Sequence, residues 1–388
     1  MQNTKMTSIN FKTPPHELTS ISIDGFKSLA ATGPVALGPI NLIIGPNGSG
    51  KSNFLAAFAF LQAIQDGRLY DYVRTAGGAD ELLHFGSKTT QEIKLSLSFQ
   101  DALHGYQLTL KADHNDNLFA LNESVTTPSS AQPPQPHSEA LAAQGGGKEA
   151  GISSAQLSQD AAWIQARLGG WRLYHVHDTS ASSPLRKTAR VDDSDYLRPD
   201  GSNLAAFLYR LKQTEKYASA YALIRKTVQR VAPFFDDFLL RPDNLAPDFI
   251  KLAWKHKGSD KYFGASTFSD GTLRFIALAT LFLQPLELRP SVILVDEPEL
   301  GLHPSAITLL AALMRQTSAQ TQIIASTQSP QLLDHFDPQD VLVANRVHSA
   351  TTLMRIDPAP LAAWLEDYSL GQLWEKNEIG GRPGAEGP

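Results

Sequence analysis

The chain has no cysteine in 388 residues. Disulfide staples and thiolate metal sites are excluded, and the composition fits a cytosolic protein without demanding one. No apolar run approaches the ~20 residues that cross a bilayer, so no membrane segment is expected. The first twenty residues are polar, include Pro14 and Pro15, and lack an apolar signal core, so secretion is not expected. There is no sustained heptad pattern, which argues against a long coiled-coil arm, and no internal repeat. A net charge of −5 argues against a surface that coats nucleic acid throughout, while a local basic groove stays open. The length allows one large domain or two ordinary ones, with ample core.

What is present is more specific. Gly45-Pro46-Asn47-Gly48-Ser49-Gly50-Lys51-Ser52 fills the pattern G-x-x-x-x-G-K-[ST]. A triphosphate concentrates negative charge, and a glycine-rich turn meets it with consecutive backbone N–H groups at the positive end of a helix. In this pattern Lys51 reaches the β- and γ-phosphates, and the Ser52 hydroxyl faces Mg²⁺. The context agrees. Ile40 to Ile44 reads as a buried parallel strand, and Asn53 to Leu61 holds good helix formers with no breaker. ATP and Mg²⁺ are therefore the expected cofactors.

A second chemical feature lies far downstream. Val292 to Val295 is a buried strand that ends in Asp296 and Glu297. An α/β sheet delivers side chains to ligands at the carboxyl ends of its strands. Asp296 suits a metal-holding role, and Glu297 suits the orientation or deprotonation of a water. Ser269-Asp270-Gly271 opens an apolar helix running to Leu283, and small residues there expose backbone donors to a phosphate. A further strand, Gln322 to Ser326, precedes Gln328.

These elements together resemble the ABC-type ATPases and their RecF/SMC relatives. Pro298-Glu299-Leu300-Gly301-Leu302-His303-Pro304 resembles the D-loop, Phe268-Ser269-Asp270-Gly271-Thr272 a divergent signature sequence, and Ser326-Thr327-Gln328-Ser329-Pro330 the switch region. Within that group the chain is most similar to single-domain predicted ATPases of the RecF-like, overcoming-lysogenization-like AAA group without a Toprim domain. Tyr174 to Ser180, Tyr196 to Leu204, and Leu373 through Pro383 fit the same group.

The resemblance implies an α/β P-loop NTPase: a bilobed ABC/RecF-like ATPase head with an inserted helical lobe and an antiparallel β subdomain. It implies a nucleotide site built from residues Gly45 to Asn53 of one copy, with Ser269, Asp270 and Gly271 supplied by another in a head-to-tail homodimer. Glu297 and Gln328 are the catalytic candidates, and Ser52 and Asp296 the metal candidates. Many relatives use His at the switch position. Gln328 can donate a hydrogen bond but cannot carry a proton, which makes slow turnover an expectation. No convincing Q-loop is found; Gln62, Gln100 and Gln107 are candidates without distinguishing context. Lys27 reads equally as a basic residue facing the nucleotide or as a surface lysine.

The implied work is in DNA repair or anti-phage defence beside an effector protein, a nuclease or Toprim-like partner, with DNA contact open. A nucleotide-gated scaffold that does not touch DNA is the alternative, and an ABC transporter subunit is disfavoured by the divergent signature. The expected organisation is a flexible leader (1–18), an N-terminal lobe (19–125), a disordered low-complexity insert (126–160), a helical accessory lobe (161–267), a C-terminal lobe (268–357) and a helical segment with tail (358–388).

Three other groupings carry charge or potential ligands. His175, His177 and Asp178 suggest a metal, but with no third ligand group evident nearby a structural or interface role is favoured. Lys251, Lys255, Lys257 and Lys261 with Trp254 form a basic hairpin that is either solvated or set against phosphates. Arg186, Lys187 and Arg190 carry the same ambiguity.

Overall fold

The computed structural model describes residues 18–99, 104–128 and 135–381. The stretches Ile40–Ile44, Val292–Asp296 and Gln322–Thr327 are buried throughout except at Asp296. Strands with no polar face need cover on both sides, the arrangement of a parallel sheet between helices. They lie in a six-stranded sheet, ordered Ala350–Arg355, Val341–Val347, Ile40–Ile44, Gln322–Thr327, Val292–Asp296, Trp171–Tyr174. Ala350–Arg355 runs antiparallel to its neighbour, and the other pairings are parallel. The parallel strands therefore place their carboxyl ends on one edge, which collects the residues following Ile44, Tyr174, Asp296 and Thr327.

Period-two alternation divides the core between the two faces. Ile40, Leu42, Ile44, Ile293, Val295, Ile323 and Ala325 join one cluster, packed under helices Leu204–Gln213, Ala218–Val231, Asp270–Leu283 and Pro304–Ser318. Every residue from Leu273 to Leu283 is buried, so that helix is enclosed on all sides. Burial of each phenylalanine there, Phe275 and Phe282, contributes about 1.5–3 kcal/mol. Ile43, Leu294 and Ile324 face the opposite cluster, beneath helices Lys51–Gln65 and Gln159–Gly169. That cluster also takes Ile93, Leu95, Leu97 and Phe99 from an antiparallel sheet built on Leu18–Phe26, Glu92–Phe99, His104–Ala112 and Leu118–Pro128.

Two expectations change. The segment read as a disordered insert carries ordered structure on both sides of residues 129–134, which lie outside the described residues. Leu118–Pro128 pairs with Pro136–Ala140, Ala150 and Ile152 are buried, and Ser158 caps the helix that begins at Gln159. The composition is polar, but backbone pairing and one buried carboxylate hold it. Glu123 accepts hydrogen bonds from the Tyr106 hydroxyl at 2.8 Å and from the Gly151 and Ile152 amides at 2.5 and 2.9 Å. The accessory segment also differs, since Trp171–Tyr174 belongs to the central sheet rather than to a separate lobe. Beside the helices Leu204–Gln213 and Ala218–Val231 it adds a three-stranded antiparallel sheet, Phe235–Leu239, Ala253–His256 and Tyr262–Gly264. Most of the expected leader, residues 1–17, lies outside the described residues, and Leu18 already begins a strand.

The Glu123 anchor is testable. Glu123→Ala leaves three donors without their acceptor and should cost about 2–4 kcal/mol in urea unfolding. A change within a few tenths of a kcal/mol would show that this segment contributes nothing to the fold.

Candidate functional site

At the end of Ile40–Ile44 the chain turns through the glycine loop into helix Lys51–Gln65. Gly50 holds φ at 100°, and no side chain caps the helix. A Cβ at Gly50 would lie 2.0 Å from Thr351 Oγ1, so both conformation and space require glycine. The first intrahelical bond runs from the Phe54 amide to the Gly50 carbonyl at 3.0 Å. The Ser49 amide donates to the Pro46 carbonyl at 3.2 Å, and the other amides at this helix start have no intrahelical acceptor, the arrangement that receives phosphate. Asn47 and Gly48 form the exposed tip of the loop, and Ser49 Oγ is buried with no hydrogen-bond partner.

Lys51 is 5% exposed, and its Nζ donates to the Gly45 and Pro46 carbonyls at 2.7 and 3.0 Å. Burial pulls its pKa below the ordinary lysine value, while the charges of Glu297, Asp296 and Glu299 act in the opposite sense. A phosphate placed against Lys51 would add counter-charge to a cation held out of water.

The register of the sheet assembles the acids around this lysine. Asp296 pairs with Ser326, and Thr327 with Ile44. Ser52 Oγ donates to Asp296 Oδ2 at 3.3 Å, and Ser326 Oγ donates to Asp296 Oδ1. A hydroxyl and a carboxylate on adjoining elements are the oxygen ligands that Mg²⁺ prefers, so Ser52 and Asp296 fit that ion. Glu297 is held at φ 40°, a left-handed conformation that costs a residue with a side chain about 1–3 kcal/mol. Its amide donates to the Ser326 carbonyl at 3.1 Å, and its Oε1 accepts from Gln328 Nε2. Glu297 and Gln328 thus form one hydrogen-bonded unit beside the loop.

Ser269, Asp270 and Gly271 lie elsewhere within the same chain. Ser269 Oγ accepts from the Thr272 amide at 3.3 Å as the cap of helix Asp270–Leu283, and Arg186 pairs with Asp270 at 2.8 Å. A Cβ on Gly271 would come within 2.5 Å of the Gly301 carbonyl, in the loop that follows the acids. These contacts do not reach residues 45–53, and Ser269 and Asp270 are exposed.

Thr351, Ser28 and Arg346 gave no signal in the sequence. Thr351 Oγ1 donates to the Ser49 carbonyl at 2.8 Å and meets Ser28 Oγ at 2.7 Å; Ser28 Oγ also accepts from Asn53 Nδ2 at 2.8 Å. This chain of hydroxyls ties the loop to two distant segments. The neighbouring Lys27 places its Nζ 5.7 Å from the Phe26 ring centre. Arg346 donates to the Gly48 carbonyl at the loop tip, 3.1 Å away. Glu299 is buried beneath the switch, where its Oε1 accepts from Thr327 Oγ1 at 2.6 Å and from the Gln328 amide at 3.3 Å. Burial raises its pKa, and its Oε2 has no hydrogen-bond partner.

Other expectations resolve by position. Gln62 lies in the helix after the loop and Gln107 in the antiparallel sheet, neither at the carboxyl edge, and Gln100 is outside the described residues. Trp254 is 4% exposed and stacks on Phe263 and Phe268, so it offers no face to a nucleic-acid base. Arg186 is spent on the Ala265 and Phe268 carbonyls and Asp270, and Arg190 pairs with Asp192. The carboxylate that comes within 4.8 Å of the His175 and His177 ring nitrogens is that of Asp296. Among the described residues no helix is long and apolar enough to cross a membrane.

Comparison with solved structures identifies the fold. The chain is similar to an SMC head bound to the C-winged helix domain of ScpA, at 13% identity and a TM-score of 0.56, over 89% of this chain and 99% of that one. It is similar also to an SMC head with an extended coiled coil, bound to the C-terminal domain of ScpA and derived from Pyrococcus furiosus, at 15% identity and a TM-score of 0.56, over 91% of this chain and 99% of that one. The fold is that of an SMC-head, ABC-type P-loop NTPase. Residues 40–334 match the family described as "AAA domain, putative AbiEii toxin, Type IV TA system", and the chain belongs to that AAA family. A comparison with curated proteins finds no match.

The hydroxyl chain behind the loop carries a prediction. Thr351→Val keeps the shape but leaves the Ser49 carbonyl without its donor. ATP affinity, measured by calorimetry, should fall about three- to tenfold, the equivalent of a lost hydrogen bond, with the melting temperature nearly unchanged. Unaltered affinity would show that the loop holds its shape without Thr351.

Proposed function

We propose that this protein is a Mg²⁺-dependent ATPase that hydrolyses ATP to ADP and phosphate within a head-to-tail homodimer. The observation that carries the reading is the convergence of Lys51, Ser52, Asp296, Glu297 and Gln328 on one sheet edge. The amides from Gly48 to Asn53 cradle the phosphates, and Lys51 turns from its carbonyl partners to the β- and γ-phosphates. Ser52 and Asp296 hold Mg²⁺, which when bound neutralises phosphate charge. Glu297 orients the attacking water and takes its proton. Gln328 fixes the Glu297 carboxylate, and because an amide cannot relay a proton, turnover is slow.

The second copy completes the site. Ser269 and Asp270 stand exposed, with Gly271 beside them, at a helix start away from their own chain's loop, which suits a role across a dimer interface. ATP then acts as the adhesive, and hydrolysis separates the copies.

The dimer acts on a protein effector, a nuclease or Toprim-like partner, in cytoplasmic DNA repair or anti-phage defence. SMC heads that share the fold bind ScpA, which supports the use of such a head as a docking platform. The scaffold form of this reading, without direct DNA contact, is favoured by the net charge of −5 and the internal pairing of Arg186, Arg190 and Trp254. A DNA-engaging head would instead show ATPase stimulation by DNA.

Two substitutions test this function. Lys51→Ala should lose measurable ATP binding; retained tight affinity would overturn the phosphate assignment. Glu297→Gln should bind ATP, hydrolyse it at least a hundredfold more slowly, and accumulate as a dimer on a sizing column with light scattering. Normal turnover in that variant would remove Glu297 from the chemistry.

A further inference from the structure

In sequence His175 and His177 lack a third ligand, and the fold supplies it. Trp171–Tyr174 pairs in parallel with Val292–Asp296, with Tyr174 opposite Val295. His175 follows directly on Tyr174, just past the strand end, as Asp296 follows on Val295. A nitrogen from each imidazole and a carboxylate oxygen of Asp296 all lie within 4.8 Å of one another. Ligands around a divalent ion at ~2.0–2.2 Å stand roughly 3–4 Å apart, so small side-chain rotations close the set.

The backbone that carries the two histidines is pinned. The His175 amide donates to the Pro199 carbonyl at 3.1 Å. Arg274, 5% exposed, donates from Nε to the Val176 carbonyl at 2.8 Å and from Nη2 to the His177 carbonyl at 2.7 Å. Val176, between them in sequence, is buried in the core, and the two imidazole rings lie 6.3 Å apart centre to centre. A solvated histidine pair on a mobile loop has no such anchorage. Arg274 belongs to the helix that opens at Ser269, so the same helix positions both this loop and the proposed trans-acting residues.

Two imidazoles and one carboxylate are not the all-oxygen set that Mg²⁺ favours. They suit first-row transition-metal dications, which accept nitrogen and oxygen together. We propose that His175, His177 and Asp296 form a binding site for such an ion, with Mn²⁺, Co²⁺ and Zn²⁺ as its class, contiguous with the nucleotide site because Asp296 belongs to both. An ion drawn to the imidazoles takes the Asp296 carboxylate away from Ser52. Zn²⁺ should therefore inhibit turnover with Mg²⁺ and ATP; that consequence rests on the ATPase reading above, whereas the binding itself does not.

The test uses full-length, tag-free protein, stripped with a chelator and free of nucleotide. Co²⁺ is titrated and followed by visible absorption and calorimetry. The wild-type chain should bind one Co²⁺ with a ligand-field band, and the His175→Gln/His177→Gln double variant should bind at least a hundredfold more weakly. The single variants, each expected to lose at least tenfold, decide the matter if circular dichroism shows the double variant unfolded. Lys51→Ala should keep Co²⁺ binding while losing ATP, which separates failure of this site from failure of the ATPase reading. Absence of Co²⁺ binding by the wild type, or unchanged binding after the histidine substitutions, would overturn the proposal.

Discussion

The parallel register of four strands is the constraint on which everything else depends. Ile44 stands opposite Thr327, Ser326 opposite Asp296, and Val295 opposite Tyr174. With side chains alternating at period two, this alignment decides which groups meet at the carboxyl edge. A slip of one residue would carry Asp296 into the core position of Val295 and put Glu297 in its place. The buried faces prevent that slip, because each strand carries apolar residues into both clusters. Packing energy on the two sides of the sheet thereby sets the positions of polar groups that contribute little to stability.

The site itself is held away from its lowest energy. Lys51 is buried beside three carboxylates, Glu297 keeps a left-handed backbone, and Glu299 sits under the switch with one oxygen unpartnered. Such groups persist when the surrounding structure over-determines them. Here the surroundings are the Ser28–Thr351–Ser49 hydroxyl chain on one side and the Thr327–Glu299 bond on the other. A triphosphate with its metal would redistribute this charge, so the strain is directed toward a ligand. Arg274 extends the same logic outward, joining the helix of Ser269 to the backbone of His177.

Contiguous features were legible in the sequence alone. The glycine loop occupies adjacent residues, and the apolar runs at Ile40, Val292 and Gln322 could be nothing but enclosed strands. The alternation at Ile93, Leu95, Leu97 and Phe99 likewise announced a one-sided antiparallel sheet. Features made by pairing across long separations were not legible. Thr351 reaches the loop from a strand some three hundred positions away, and nothing local marks it. The same reason hid the link between His175 and Asp296, since only the sheet order shows that their strands are neighbours. The segment after Thr126 misled because its polar composition says nothing of Glu123, the one carboxylate that gathers its amides.

Mixing inactive variants tests most directly the proposed nucleotide site shared between two copies. Lys51→Ala removes the loop function of a copy, and Ser269→Arg blocks its exposed helix start. Each variant alone should be inactive. Mixed in equal amounts, they form hybrids in which one intact loop faces one intact helix start, so ATPase activity should reappear at a substantial fraction of the wild-type rate. A mixture as inactive as its components, although the two variants are shown to associate, would contradict the shared site.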